Sequence, residues 1–309
     1  MMYVGDVPWH QLGTACTDLQ TSENCIKKAE MDFTVEKKSL LAVLDAKTNH
    51  FVSVPRKFAT VRIDTNEVLG TVGSKYHVIQ NVDAFRFFDA LVGKGEAIYE
   101  TAGVLGDGER IWILAKLPGF IKVLGKDIVN KYLLLTNSHD GTSMVRAKLT
   151  PVRVVCNNTL NMALRGSEQE VRVRHGQRAE EQLEEAHKIL GLSNAIYKDL
   201  EEIFKKMSLV NLTGDQVVDY VKTLVPDNED ADRNTRTENI RDKILSLHEG
   251  GQGSEFARGT LWGAYNSITE YVDHYYSTTQ VDKKLTSMWF GSGAKLKEKA
   301  FEVAKELLN

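Results

Sequence analysis

Hydrophobic positions along this chain change period near its middle. Between Phe33 and His175 they come in short, often alternating runs broken by glycine, proline and asparagine, which is the signature of strands and turns. Beyond His175 they recur at intervals of three, four and seven, as on helices. The strand-rich part contains Phe58–Ile63 and a second extended run separated by the turn residues Asp64, Asn66 and Gly70. Ala97–Val104 and Arg110–Leu117 read as a pair joined through Gly106, Asp107 and Gly108. Ile121–Val123 and Lys131–Thr136 form a second pair about Gly125, and Asn137–Gly141 reads as a polar turn. Two helices interrupt the strands, one starting at Ser22 and one at Asn81 or Asp83 with Phe85 and Phe88 facing inward.

The passage Lys148–Leu164 organises the rest. It predicts an extended segment through Val152, Val154 and Cys156, then a helix capped by Asn157 or Asn158, with Leu160 and Leu164 on one face. Val171–His175 alternates again and sets Arg172 and Arg174 opposite Val171 and Val173.

In the second half Leu183, Leu190, Tyr197 and Phe204 repeat every seven residues. With Ala186, Ser193, Leu200 and Met207 they make a packing seam, within the chain or between copies of it. Thr213–Gln216 has the form of a capping box, and Pro226 ends the helix it starts. Asn239–Leu247 reads as a small helix. Thr260–His274 reads as a core helix with Asn266, Glu270, Asp273 and His274 along a polar outer edge. The expected architecture is α+β: an antiparallel, strand-rich N-terminal region with helices packed against it, then a mostly helical C-terminal region. Residues 1–176 form the mixed core and 177–309 the helical part.

Composition narrows the class. Of 309 residues, 26% are charged and 42% hydrophobic, which is ordinary for a globular protein in water. No apolar run reaches membrane-spanning length and no secretion signal is recognisable, so a cytoplasmic protein is expected. Cys16, Cys25 and Cys156 are too few and too scattered for a disulfide framework.

Charge matters only locally. The net charge is -3, yet Met144–Arg178 carries seven basic residues against Glu168 and Glu170. A phosphate-binding surface built from Lys148, Arg153, Asn157, Asn158, Arg172, Arg174 and His175 is therefore expected. Nothing demands a reaction. Asn137-Ser138-His139-Asp140 has acid–base groups but no second ligand cluster at a recognisable spacing. The glycines near Gly250 lack the Gly-Lys-Ser/Thr ending of a phosphate loop. Residues 227–239 lack the spacing of a calcium loop. No catalytic residue, metal or cofactor is expected.

Several passages together resemble a bacteriophage and plasmid protein family catalogued as domain of unknown function 932. They are Trp9-His10-Gln11-Leu12-Gly13, the stretch from Leu69-Gly70 to Gln80-Asn81, Val155-Cys156-Asn157-Asn158-Thr159-Leu160, Arg174-His175, and the helix from Trp262 to His274. The resemblance implies no catalytic residue. Its mobile-element setting implies a role in replication, recombination or host interference. The expected function is a non-enzymatic, single-stranded DNA-binding or annealing-like protein that forms a homo-oligomer through 183–207. The alternatives are a module that binds a phage or host protein, and an enzyme processing nucleic acid or nucleotides. A closed polar pocket joining a histidine to carboxylates would favour the enzyme; an exposed apolar patch would favour protein recognition.

Overall fold

The computed structural model describes residues 1–4, 13–16, 21–86, 89, 97–153, 158–159, 170–176, 178, 188–227, 234–276 and 281–308, with the backbone alone at 158–159, 188–194 and 281–282. The chain divides into two compact units. The first holds Met1–Pro118, Leu133–Leu149 and Glu170–Gly191; the second holds Gly119–Tyr132, Thr150–Gln169 and Leu192–Asn309. The α+β expectation is met: strands dominate the first half and helices the second.

In the first unit β1 (Met2–Val4) pairs in parallel with β2 (Thr14–Cys16) and antiparallel with β6 (Ile98–Leu105). The next strand is β7 (Arg110–Val123), which pairs antiparallel with β6. It neighbours β8 (Asp127–Ser138), and β8 pairs with β9 (Val145–Leu149). At the edge, β9 pairs with β12 (Glu170–Val173). Strands β7 and β8 each divide between the two units. Alternation explains the burial in β9, where Val145, Ala147 and Leu149 are buried while Arg146 and Lys148 reach solvent.

A separate meander comprises β3 (Val35–Asp45), β4 (His50–Arg62) and β5 (Val68–Gly73) in that order. Helix α1 (Ser22–Lys28) is capped one residue earlier than the sequence predicts, because the Thr21 side chain accepts from Asn24 N–H at 3.2 Å. Ser22 is otherwise engaged: its N–H and hydroxyl both donate to the Asp89 carboxylate at 2.7 Å. Helix α2 covers Asn81–Arg86 and buries Phe85.

The second unit contains the 119–132 segment of β7 and β8, then β10 (Val152–Arg153) and β11 (Asn158–Thr159). Here the structure corrects the sequence reading. Asn158 and Thr159 do not open a helix; they pair antiparallel with Arg153 and Val152. Their ladder to β10, which is itself paired with β8 on its other side, takes the place of the helix start. Asn157 and Cys156 lie outside the described residues.

The helices are α3 (Lys188–Leu209), α4 (Gly214–Leu224), α5 (Asn234–Gly250), α6 (Ser254–Ala257), α7 (Leu261–Glu270), α8 (Val281–Phe290) and α9 (Ser292–Glu306), with a π turn at Tyr271–Tyr275. The capping box at Thr213 forms as expected, with Gln216 returning to the Thr213 N–H at 2.8 Å. Helix α3 runs through Gly191 and Ser193 without a break. Its Tyr197, Leu200, Phe204 and Met207 are buried, and Phe204 packs on Trp262 with ring centroids 4.7 Å apart. The seam residues Tyr197, Leu200, Phe204 and Met207 therefore pack inside this unit; Leu183 and Ala186, and the side chains of Leu190 and Ser193, lie outside the described residues. Helix α7 is buried on every side rather than amphipathic. Asn266 donates to the Trp262 carbonyl at 2.8 Å, and Asp273 accepts from Lys297 at 2.7 Å with both side chains fully buried.

Candidate functional site

The β9–β12 ribbon gathers part of the expected basic surface. Its register sets Lys148 opposite Glu170 and Arg146 opposite Arg172, so these four side chains share one face. Arg174 continues the same parity and is exposed. Glu170 is the acid between them: Arg172 reaches it at 2.7 Å and Arg146 at 3.4 Å. Arg146 was missed as a site residue, although its place two positions before Lys148 was a sufficient signal.

Three expected contributors are elsewhere. Arg153 is 1% exposed, in the second unit. Its Nε and Nη2 fork onto Asp127 at 2.9 and 2.7 Å, and Nη2 also donates to the Gly253 carbonyl at 2.9 Å. Trp262 Nε1 donates to the same carboxylate at 2.8 Å. This arginine neutralises a buried acid and presents no charge to solvent. Asn158 contributes backbone to β11. His175 is turned inward, with its ring stacked on Tyr76 at a centroid distance of 4.7 Å and an interplanar angle of 12°. Alternation requires this, because Val173 and His175 take the parity opposite to Arg172 and Arg174.

His175 belongs with a second cluster in the first unit, at the C-terminal end of β8. Asn137, Ser138 and His139, expected in a polar turn, are all buried. Asn81 Nδ2 donates to the Met31 carbonyl at 2.7 Å, which leaves its Oδ1 2.7 Å from His139 Nε2. That oxygen accepts, so His139 carries its proton on Nε2 and a lone pair on Nδ1. No hydrogen-bond partner meets His139 Nδ1, and the His175 ring has the His77 backbone as its polar neighbour. Asn137 completes the arrangement by donating to the Ile79 carbonyl at 3.0 Å, and Thr60 donates to the His139 carbonyl at 2.7 Å.

Charge in this cluster is set by burial. Desolvation, then the nearby His175, pulls His139 down to about 3; desolvation pulls His175 down to about 4. Both rings are neutral at pH 7. Burial alone would raise Asp140, but the Ser138 and Thr142 hydroxyls, the Thr142 N–H and Arg110 outweigh it and hold the carboxyl below its ordinary value. Among the described residues no group of three or more metal-ligating side chains converges here or elsewhere.

Gly70 fixes the loop that carries Asp140. A Cβ at Gly70 would lie 2.6 Å from both Cα and the carbonyl oxygen of Asp140, backbone atoms that cannot swing aside. Gly70→Ala is expected to cost about 1–3 kcal/mol through overpacking, read as a lower urea midpoint. An unchanged midpoint would show that the loop yields freely.

A family model described as Domain of unknown function (DUF932) matches residues 68–289, well over half of the chain. No curated protein and no solved structure matches. Among the described residues no helix is long and apolar enough to cross a membrane.

Proposed function

The chain belongs to the family described as Domain of unknown function (DUF932), and from the charge on one face of its β9–β12 ribbon we propose that it is a non-enzymatic binder of single-stranded DNA, of the annealing type. The observation that carries this reading is the alignment of Arg146, Lys148, Arg172 and Arg174 on one side of the sheet edge, with Glu170 as the one acid in the β9–β12 register among the described residues. Their backs are the buried Val145, Ala147 and Val173, so the charges are held outward by the core rather than by their own rotamers. Same-side residues on a strand repeat at about 6.6–6.8 Å. That is roughly twice the 3.4 Å rise per nucleotide of a stacked strand, so the charges can meet alternate phosphates along one strand. Phosphate contact of this kind leaves the bases accessible for pairing with a second strand, which is what annealing requires. A place in recombination or replication of a phage or other mobile element belongs to the same proposal.

The enzyme alternative has one point in its favour, the unpartnered lone pair of His139 beside Asp140 and His175. Complete burial of that ring keeps a polymeric substrate away from it. The cluster is therefore read as a support for the loop ends, and catalysis as the weaker reading.

The test is fluorescence anisotropy with short single-stranded and duplex DNA at low and near-physiological salt. The wild type is expected to prefer the single strand and to weaken as salt rises. Arg172→Glu with Arg174→Glu is expected to lower single-strand affinity at least about tenfold, and the two lost contacts to flatten the salt slope by about 1.4. Absence of binding to either form at micromolar protein, or full affinity in the folded double variant, would overturn the proposal.

A further inference from the structure

The β3–β4 hairpin extends beyond the part of the meander that is covered. Strand β5 pairs with β4 only over Lys57–Val61, so among the described residues Leu41–Ser53 is a two-stranded ribbon with no third strand. An isolated two-stranded ribbon is marginal in water, and this one is not sheltered by its own side chains. Leu41 is 53% exposed, Val43 and Leu44 59%, Phe51 45% and Val52 40%. Leu41, Val43 and Phe51 share one face of the ribbon and Val52 lies on the other, so apolar side chains are exposed on both of its faces.

The two edges of the ribbon differ. Between Ser39 and Leu41 on β3 lies one residue, whereas between their partners Phe58 and Ser53 lie Val54, Pro55, Arg56 and Lys57. Pro55 has no N–H to offer, and Arg56 sits in the left-handed region at φ 59. The β4 edge is thereby unsuited to further pairing. The β3 edge carries no proline and no left-handed residue from Val35 to Asp45. At its start both backbone groups of Val35 are taken by the Gln80 side chain, at 3.1 and 2.9 Å. Past that cap no strand pairs with it among the described residues.

We propose that the β3 edge pairs antiparallel with β3 of a second copy of this chain, about a twofold axis near Leu41. The sequence of the strand is complementary to itself in that direction. Lys37 and Lys38 precede the apolar run Leu40–Leu44, and Asp45 follows it. Antiparallel self-pairing about Leu41 sets Leu41 against Leu41, Leu40 against Ala42 and Lys37 against Asp45, with Lys37 exchanging the Ser74 and Tyr76 carbonyls for the carboxylate. It brings the apolar runs of the two copies side by side and satisfies the edge amides in one step. The second copy is favoured over an unrelated partner because the strand supplies both halves of this match. The inference does not depend on DNA binding.

Sedimentation velocity of the full chain at micromolar concentration tests it. The wild type is expected to sediment as a dimer or a higher multiple. Leu41→Lys with Val43→Lys, which sets like charges face to face, is expected to lower the mass at least twofold. Both side chains are more than half exposed in the single chain, so its far-ultraviolet circular dichroism should be retained. A second variant leaves the ribbon apolar: Leu41→Cys is expected to form an intermolecular disulfide under mild oxidation, whereas Lys47→Cys at the hairpin turn is not. A monomeric wild type, a double variant of unchanged mass, or a dimer that Leu41→Cys does not cross-link would each overturn the proposal.

Discussion

Replacing Asp127 with alanine is expected to lower the unfolding free energy by about 3–5 kcal/mol, because it strands a buried charge. The carboxylate is 1% exposed and receives Arg153 in a forked contact and Trp262 Nε1. Without it, Arg153 keeps the carbonyls of Gln252 and Gly253 but loses the carboxylate that its Nε and Nη2 share. Asp127→Asn is expected to lie nearer to alanine than to the wild type. It keeps an acceptor for Trp262 and removes the negative charge from beside the guanidinium. Removing both charges, with Asp127→Leu and Arg153→Met together, is expected to recover part of the loss, since an apolar pair avoids the desolvation of a lone ion. Urea unfolding of the single and double variants measures this coupling. A loss below about 1 kcal/mol for Asp127→Ala would mean that water reaches Arg153 and that the pair is not the anchor described.

Arg153 also shows where sequence reasoning succeeds and where it stops. Period-two alternation correctly separated Arg172 and Arg174 from Val173, and carried one step back it would have added Arg146. Applied one step forward, the same rule places His175 on the buried side, so its inclusion in a phosphate-binding surface conflicted with the pattern already in use. Arg153 was different. Its partner lies 26 residues away in sequence on another strand, and no local spacing announces a buried ion pair of that kind. Lys297 and Asp273 repeat the lesson: an acid read as part of a polar edge is fully buried by a lysine 24 positions later.

The period-three and period-four pattern found the helices but not their surroundings. Trp262–Glu270 has enough polar residues to resemble an amphipathic helix. Thr269 and Ser267 instead place their hydroxyls on carbonyls three residues back, and Asn266 donates to one four back, so polar side chains enter the core with bonds supplied by their own helix. The seam in α3 was legible as apolar, yet a heptad repeat does not say whether the covering surface comes from the same chain. Here Trp262 and Phe301 cover Phe204. The copy-to-copy pairing proposed above uses the β3–β4 ribbon, whose exposed leucines looked in sequence like ordinary strand residues.

Acid is expected to destabilise the protein well before its ordinary carboxylates are all protonated, through the histidines beneath β8. In the unfolded chain an imidazole titrates near 6.5, whereas His139 titrates near 3 and His175 near 4 in the fold. Both folded values are depressed, so the contribution to stability is complete above pH 6.5. It declines as pH falls below 6.5, because the unfolded state takes up protons that the fold refuses, and it is lost by the time pH has passed through 4 and then 3. With two such sites the slope reaches about 2.7 kcal/mol per pH unit, which over one or two units consumes much of a typical domain's stability. His248, lowered by its own burial, adds to the effect, while Glu270, raised by burial, opposes it. Asp140, held below its ordinary value, acts only at lower pH, where the carboxylates themselves titrate. The measurement is the urea midpoint between pH 7 and 4.5 for the wild type and for His139→Gln with His175→Phe. Glutamine keeps an N–H donor for Asn81, and phenylalanine keeps the stack on Tyr76. The wild type should lose stability steeply over that range and the double variant should show a much flatter profile, even from a lower starting value. Equal slopes in the two proteins would place the acid sensitivity elsewhere and remove the argument that these rings are held neutral.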